Sequence, residues 1–131
     1  MEIRFRALKD DISNCKFVYG QLVYDAIGNP RITEVDKSGF GLTFHTCLKG
    51  TEGQFTGRED GEINGTPVYD GDIIKNCDIK ELQIVYWNNS ECAWYCRYIY
   101  DKNRIVSLAD SLGNLNKVIG NIHENSELLN Q

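Results

Sequence analysis

The carboxylates Asp70 and Asp72, separated only by Gly71, are the closest this sequence comes to a reactive cluster. Two such groups can offer oxygens to a divalent cation. With a histidine they would suit a hydrolase or nuclease that activates water on a metal. The same three residues are explained more simply as a tight turn. Asp70 initiates it, Gly71 supplies positive φ, and Asp72 accepts backbone N–H groups. Asp70, Gly71 and Asp72 are therefore read as a structural turn. His45 stands in Leu42-Thr43-Phe44-His45-Thr46-Cys47 without the nucleophile or orienting partner that a general base requires. His123 and Glu124 are consecutive in a link and read as solvated.

Cys15, Cys47, Cys77, Cys92 and Cys96 form an odd set of five, which reads as free thiols in a reducing compartment. Cys92 and Cys96 lie four apart, but no second pair or neighbouring His completes a zinc site. Gly50, Gly53, Gly57, Gly61 and Gly65 match neither a P-loop nor a dinucleotide-binding turn. No catalytic residue, metal ligand or cofactor is assigned, and the chain is read as a non-enzyme.

The 131 residues suit one domain, with an N-terminal β lobe over about 1–50 and a central and C-terminal β-core over about 51–131. A 41% apolar and 25% charged composition is that of a globular protein. No apolar run approaches the ~20 residues of a membrane span. The opening Met1–Arg6 has no signal-peptide h-region, so the expected location is the cytoplasm. The net charge of −5 is uneven: residues 1–50 balance at +1, residues 51–131 at −6. An acidic chain lacks the phosphate-neutralising surplus of a general nucleic-acid coat.

The elements that would position these residues are short strands. Glu2–Ala7 alternates, placing Ile3, Phe5 and Ala7 inward and Arg4 and Arg6 outward. Cys15–Tyr19 returns as a hairpin arm ended by Gly20, and Gln21–Asp25 is a further run. Arg31–Val35 and Leu42–Cys47 read as strands, with a bend around Phe40. Lys49–Gly65 reads as a connector containing a short strand at Gln54–Thr56. Asn64-Gly65 and Asp70-Gly71 are turn dipeptides bracketing Pro67-Val68-Tyr69, with Ile73-Ile74 following. Leu82–Trp87 and Ala93–Tyr100 form the strongest hairpin, because β-branched and aromatic residues fill both arms. Leu108 and Leu112, at i and i+4, allow one or two helical turns ended by Gly113-Asn114. Lys117–Ile122 closes the sheet, and Asn125 can cap a last turn over Ser126–Leu129.

On the second hairpin arm Trp94, Cys96, Tyr98 and Tyr100 share one face, while Tyr95, Arg97 and Ile99 share the other. Both faces are apolar enough to be covered by core, subunit or partner. The candidate binding face comprises Arg4, Arg6, Arg97, Tyr95, Tyr98 and Tyr100. With Arg31 it would also suit a small-barrel nucleic-acid-binding module, whose aromatics stack on bases. Protein binding is favoured, because positive charge is scarce.

Tyr69-Asp70-Gly71-Asp72-Ile73-Ile74, the upstream Gln54-Phe55-Thr56-Gly57 and the closing Val118-Ile119-Gly120-Asn121-Ile122-His123-Glu124-Asn125 together resemble the YopX family of bacteriophage and prophage proteins. The opening Ile3-Arg4-Phe5-Arg6-Ala7 is similar as well. These blocks fall in the family's order over nearly the whole chain. Leu8 stands where the family commonly has Trp, and Ser126 replaces a helix-opening Pro. The resemblance implies a mainly β protein, its short strands forming one or two small barrels or sheets with short helical turns. It further implies an uncharacterised phage-encoded protein that assembles into homo-oligomers. It carries over no catalytic residue. The absence of a catalytic constellation, the acidic second half and the two apolar faces of the hairpin add the reading of an accessory or regulatory protein that binds a host or phage protein.

Overall fold

A computed structural model of the chain describes residues 3–35, 39, 41–61, 65–75, 81–113 and 116–130. Asn64 of the first turn dipeptide, Phe40 of the bend, Cys77 and Asn114 lie outside them. The fold is mainly β, built as two antiparallel sheets that do not close into barrels. The chain divides into two compact units, Met1–Phe55 and Thr56–Gln131.

The first unit holds β1 (Phe5–Leu8), β2 (Phe17–Tyr24), β3 (Pro30–Val35), β4 (Leu42–Thr46) and the start of β5 (Gly53–Glu59). The hydrogen-bonded order is β4-β3-β2-β1-β5, and β5 continues into the second unit to meet β6 (Pro67–Tyr69). Register follows the alternation in sequence: Ala7 lies opposite Val18, Leu22 opposite Ile32, and Ile32 opposite His45. That face buries Ala7, Ile32 and Cys47, with Phe5, Val18 and Leu22 packed against them. Side-chain-built turns hold the hairpins. Asp11 accepts the Ser13 N–H and hydroxyl, and Asp25 accepts the N–H groups of Ile27 and Asn29. These bonds favour the charged carboxylates and hold both below the usual Asp range.

Three expectations fail here, those for Gly20 and Arg6 for non-local reasons. Gly20 does not end a strand; β2 runs straight through it. A Cβ at Gly20 would collide with the carbonyl oxygen of Thr33, so the glycine permits close approach of β3. Arg6 is not solvated. It is 6% exposed and its guanidinium stacks 4.3 Å from the Phe17 ring centroid, while Ile3, expected inside, is exposed.

In the second unit the sheet order is β10 (Ile105–Ser107), β9 (Ala93–Tyr98), β8 (Leu82–Asn88), β7 (Asp72–Lys75), β11 (Lys117–Asn121). One face carries the core of Val68, Ile74, Val85, Cys96, Leu108 and Leu112, with Trp94, Val106 and Val118 packed on it. The leucines come from α1 (Leu108–Gly113), whose first turn is capped by Ser107 Oγ accepting the Asp110 N–H. Ser111 on this helix donates to Gln83 Oε1 at 2.5 Å and accepts from Asn116 Nδ2 at 3.0 Å. All three are buried, so the helix is tied down by polar as well as apolar contacts. The chain ends in a 3-10 turn over Ser126–Asn130. No helix among the described residues is long and apolar enough to cross a membrane.

Candidate functional site

The Asp70-Gly71-Asp72 turn lies against the closing block of the chain. Gly71 has φ +85°, its N–H donates to the Val85 carbonyl, and its carbonyl accepts the Ile122 N–H at 2.9 Å. Asp72 is buried, and its Oδ2 accepts the Tyr69 N–H at 2.7 Å. Its cross-strand neighbour Asn121 accepts the N–H groups of His123 and Glu124 on Oδ1 and donates from Nδ2 to Glu124 Oε1. Asn125 does not cap the last turn with its side chain. Its Oδ1 accepts the Asn121 N–H, and a Cβ at Gly120 would collide with it. Asp72, Asn121 and the backbone of His123 and Glu124 thus meet in a turn-on-turn junction at which the Glu124 side chain stays exposed, while His45 belongs to β4 of the first unit. Among the described residues no group of three or more His, Cys, Asp and Glu side chains could hold a metal ion.

The candidate binding residues divide between surfaces. Within the second unit, Tyr95 and Arg97 share one face with Tyr86. The Tyr86 and Tyr95 rings lie 6.4 Å apart, and the Arg97 guanidinium is 6.0 Å from the Tyr86 ring. Tyr98 lies on the opposite face, buried. Tyr100, expected within the same strand, lies beyond its end and is exposed, packed edge-on to Tyr98 at 5.6 Å. Arg104, not singled out in the sequence, joins them: it stacks 4.4 Å over Tyr98, donates to the Tyr100 hydroxyl and approaches Glu81 at 3.8 Å. The bond to Tyr100 raises its pKa. Its spacing from Tyr100 across a short hairpin loop was the available signal. Arg4 and Arg6 belong to the first unit, where they stack on Phe55 and Phe17 at 4.4 and 4.3 Å.

A further feature of the first unit was not anticipated. β4 is the end strand of its sheet, and Leu42 and Phe44 on it are 59% and 58% exposed. Past β1 the chain crosses to the far end of β4. Lys9 bridges to Cys47, Asp10 N–H donates to the Thr46 carbonyl, and Leu48 N–H donates to the Leu8 carbonyl. The loop then turns away, leaving an open groove of about 840 Å³ between Lys9–Ser13 and Thr43–Thr46. On the inner face beneath, His45 Nε2 lies 3.6 Å from Glu34 Oε2.

A family model described as YopX protein matches residues 4–130. The chain belongs to the YopX family. The YopX match spans both units, from the residue before β1 to the last residue of the 3-10 turn. It therefore covers the turn junction and the groove alike. A comparison with curated proteins returns no match to this YopX chain.

Proposed function

We propose that this YopX protein is a phage- or prophage-encoded accessory or regulatory protein. It works by binding another protein in the cytoplasm of the bacterial host, without catalysing a reaction, and as a homo-oligomer. The observation that carries the reading is the distribution of exposed apolar side chains. Nine of the thirteen large ones among the described residues lie in the first unit, and Leu42 and Phe44 stand on a sheet edge. Apolar surface grouped in this way marks interfaces. The engagement of Asp72 with the Tyr69 backbone, and of Glu124 with Asn121, supports structural duties for the acidic groups.

The second reading, a nucleic-acid-binding module, draws on the Tyr86, Tyr95 and Arg97 cluster, whose rings and guanidinium suit base stacking. Burial of Arg6 takes one expected phosphate contact away from it.

Affinity capture of the tagged protein from phage-infected lysate, with and without nuclease, tests both. A protein retained after nuclease supports the first reading. Nucleic acid retained, with proteins lost on digestion, contradicts it.

A further inference from the structure

The outward edge of β4 is chemically unfinished. In the β3–β4 pair the Cys47 N–H donates to the Pro30 carbonyl, and pairing alternates along the ladder. The peptide groups of His45 and Thr43 therefore turn toward β3, and those of Thr46, Phe44 and Leu42 turn outward. The Thr46 carbonyl meets Asp10 N–H. The outward groups of Phe44 and Leu42 meet no backbone partner among the described residues. Solvent-facing edge strands are usually blunted by Lys, Pro or a bulge. Leu42-Thr43-Phe44-His45-Thr46 has neither Lys nor Pro, and its five pairs with β3 run without a register shift.

The groove walls have a definite chemistry. Phe44 on one bank and Ile12, fully exposed, on the other are apolar. The charged lining is two carboxylates, Asp10 and Asp11, against the single ammonium of Lys9. Asp11 is fixed as the anion by its two bonds from Ser13. Arg31, opposite Thr46 on β3, does not offset this, because it lies 3.8 Å from Asp25.

We propose that β4 takes up an extended segment of another protein as an added strand, continuing the ladder that the Lys9–Cys47 bridge begins. The segment alternates apolar residues, which lie on Phe44 and Ile12, with basic residues, which meet Asp10 and Asp11. Main-chain bonds to Phe44 and Leu42 supply affinity, and alternate side chains supply selectivity. This rests on the protein-binding reading above and adds the place and the partner's chemistry.

The test is a ¹⁵N–¹H NMR titration of the full chain with capped eight-residue peptides alternating Val with Lys, Gln or Glu. An analogue of the Lys peptide, N-methylated at alternate residues, is the backbone control. The Lys peptide is expected to slow exchange of the Leu42 and Phe44 amides. It should bind at least ten-fold more tightly than the Glu peptide at low salt, with the gap narrowing at high salt. The N-methylated analogue should not bind. Asp10→Asn should weaken the Lys peptide three- to ten-fold. Phe44→Pro removes an outward N–H without breaking a bond to β3 and should abolish binding, whereas Phe44→Val should retain part of it. No binding, equal binding of Lys and Glu peptides, or shifts confined to residues outside the groove would overturn the proposal. So would concentration-dependent protection of Leu42 and Phe44 without peptide, which would make a second copy the occupant. A nuclease-resistant partner still captured by Phe44→Pro would sink the edge site and leave protein binding standing. Nuclease-sensitive capture would sink protein binding itself.

Discussion

The two units solve the same problem differently. The second covers one face of its sheet with α1, so that Val85, Cys96, Leu108 and Leu112 are nearly or wholly removed from water and Gln83, Ser111 and Asn116 bond to one another beneath the helix. The first has a smaller core of Ala7, Ile32 and Cys47, and leaves Leu42, Phe44, Val23 and Tyr24 in solvent. A unit with a helix over its sheet has apolar contacts to stabilise it. A unit that keeps apolar side chains on an open edge gives up that stabilisation for surface. The contrast places the larger buried core in the second unit and is the ground on which partner binding is proposed for the first.

The largest break in the comparison should come from Leu108→Ala. It opens a cavity under α1 and is expected to cost about 3 kcal/mol in chemical denaturation. Asn121→Ala leaves the N–H groups of His123 and Glu124 without their acceptor and should cost about 2 kcal/mol in the same assay.

Cys96 sharpens the contrast through pH. Burial pushes its thiol up to about 12, from 9.0 when free. Above pH 9 the unfolded chain releases this proton while the folded one keeps it, so stability falls as pH rises from 9 toward 12. The slope approaches about 1.4 kcal/mol per pH unit. Cys96→Ala should flatten it relative to the parent chain. Asp25 in the first unit works in the opposite direction. Its carboxyl is held low by the Asn29 backbone N–H, so its contribution is present above the free value of 3.8 and is lost as pH falls below it. The melting temperature of Asp25→Ala should therefore depend less on pH between 5 and 2.5 than that of the parent. Smallest in stability is Phe44→Ser, expected to stay within about 0.5 kcal/mol of the parent because it removes an exposed ring. Its capture of partner should nonetheless fall at least ten-fold.

What was legible in the sequence was what local chemistry decides. Alternation marked the first strand and Arg31–Val35, and β-branched and aromatic residues marked the hairpin of Leu82–Trp87 and Ala93–Tyr100, whose second strand ends at Tyr98. Leu108 and Leu112 marked α1, and Asp70-Gly71 marked its turn. What was not legible depends on neighbours distant in sequence. Gly20 looks like a strand end until β3 is laid against it, and Arg6 looks solvated until Phe17 returns across the hairpin. Asn125 looks like a helix cap until Asn121 claims its oxygen. β10 is only three residues long, too short for a period to show. The edge position of β4 is a property of sheet order, which Leu42–Thr46 alone does not encode.

Hydrogen–deuterium exchange of the protein with and without its captured partner tests the central claim most directly. The account predicts new protection confined to residues 9–13 and 41–47, with β8 and β9 unchanged. Protection at Tyr86, Tyr95 and Arg97 with none at Leu42 and Phe44 would contradict it and move the binding surface to the second unit.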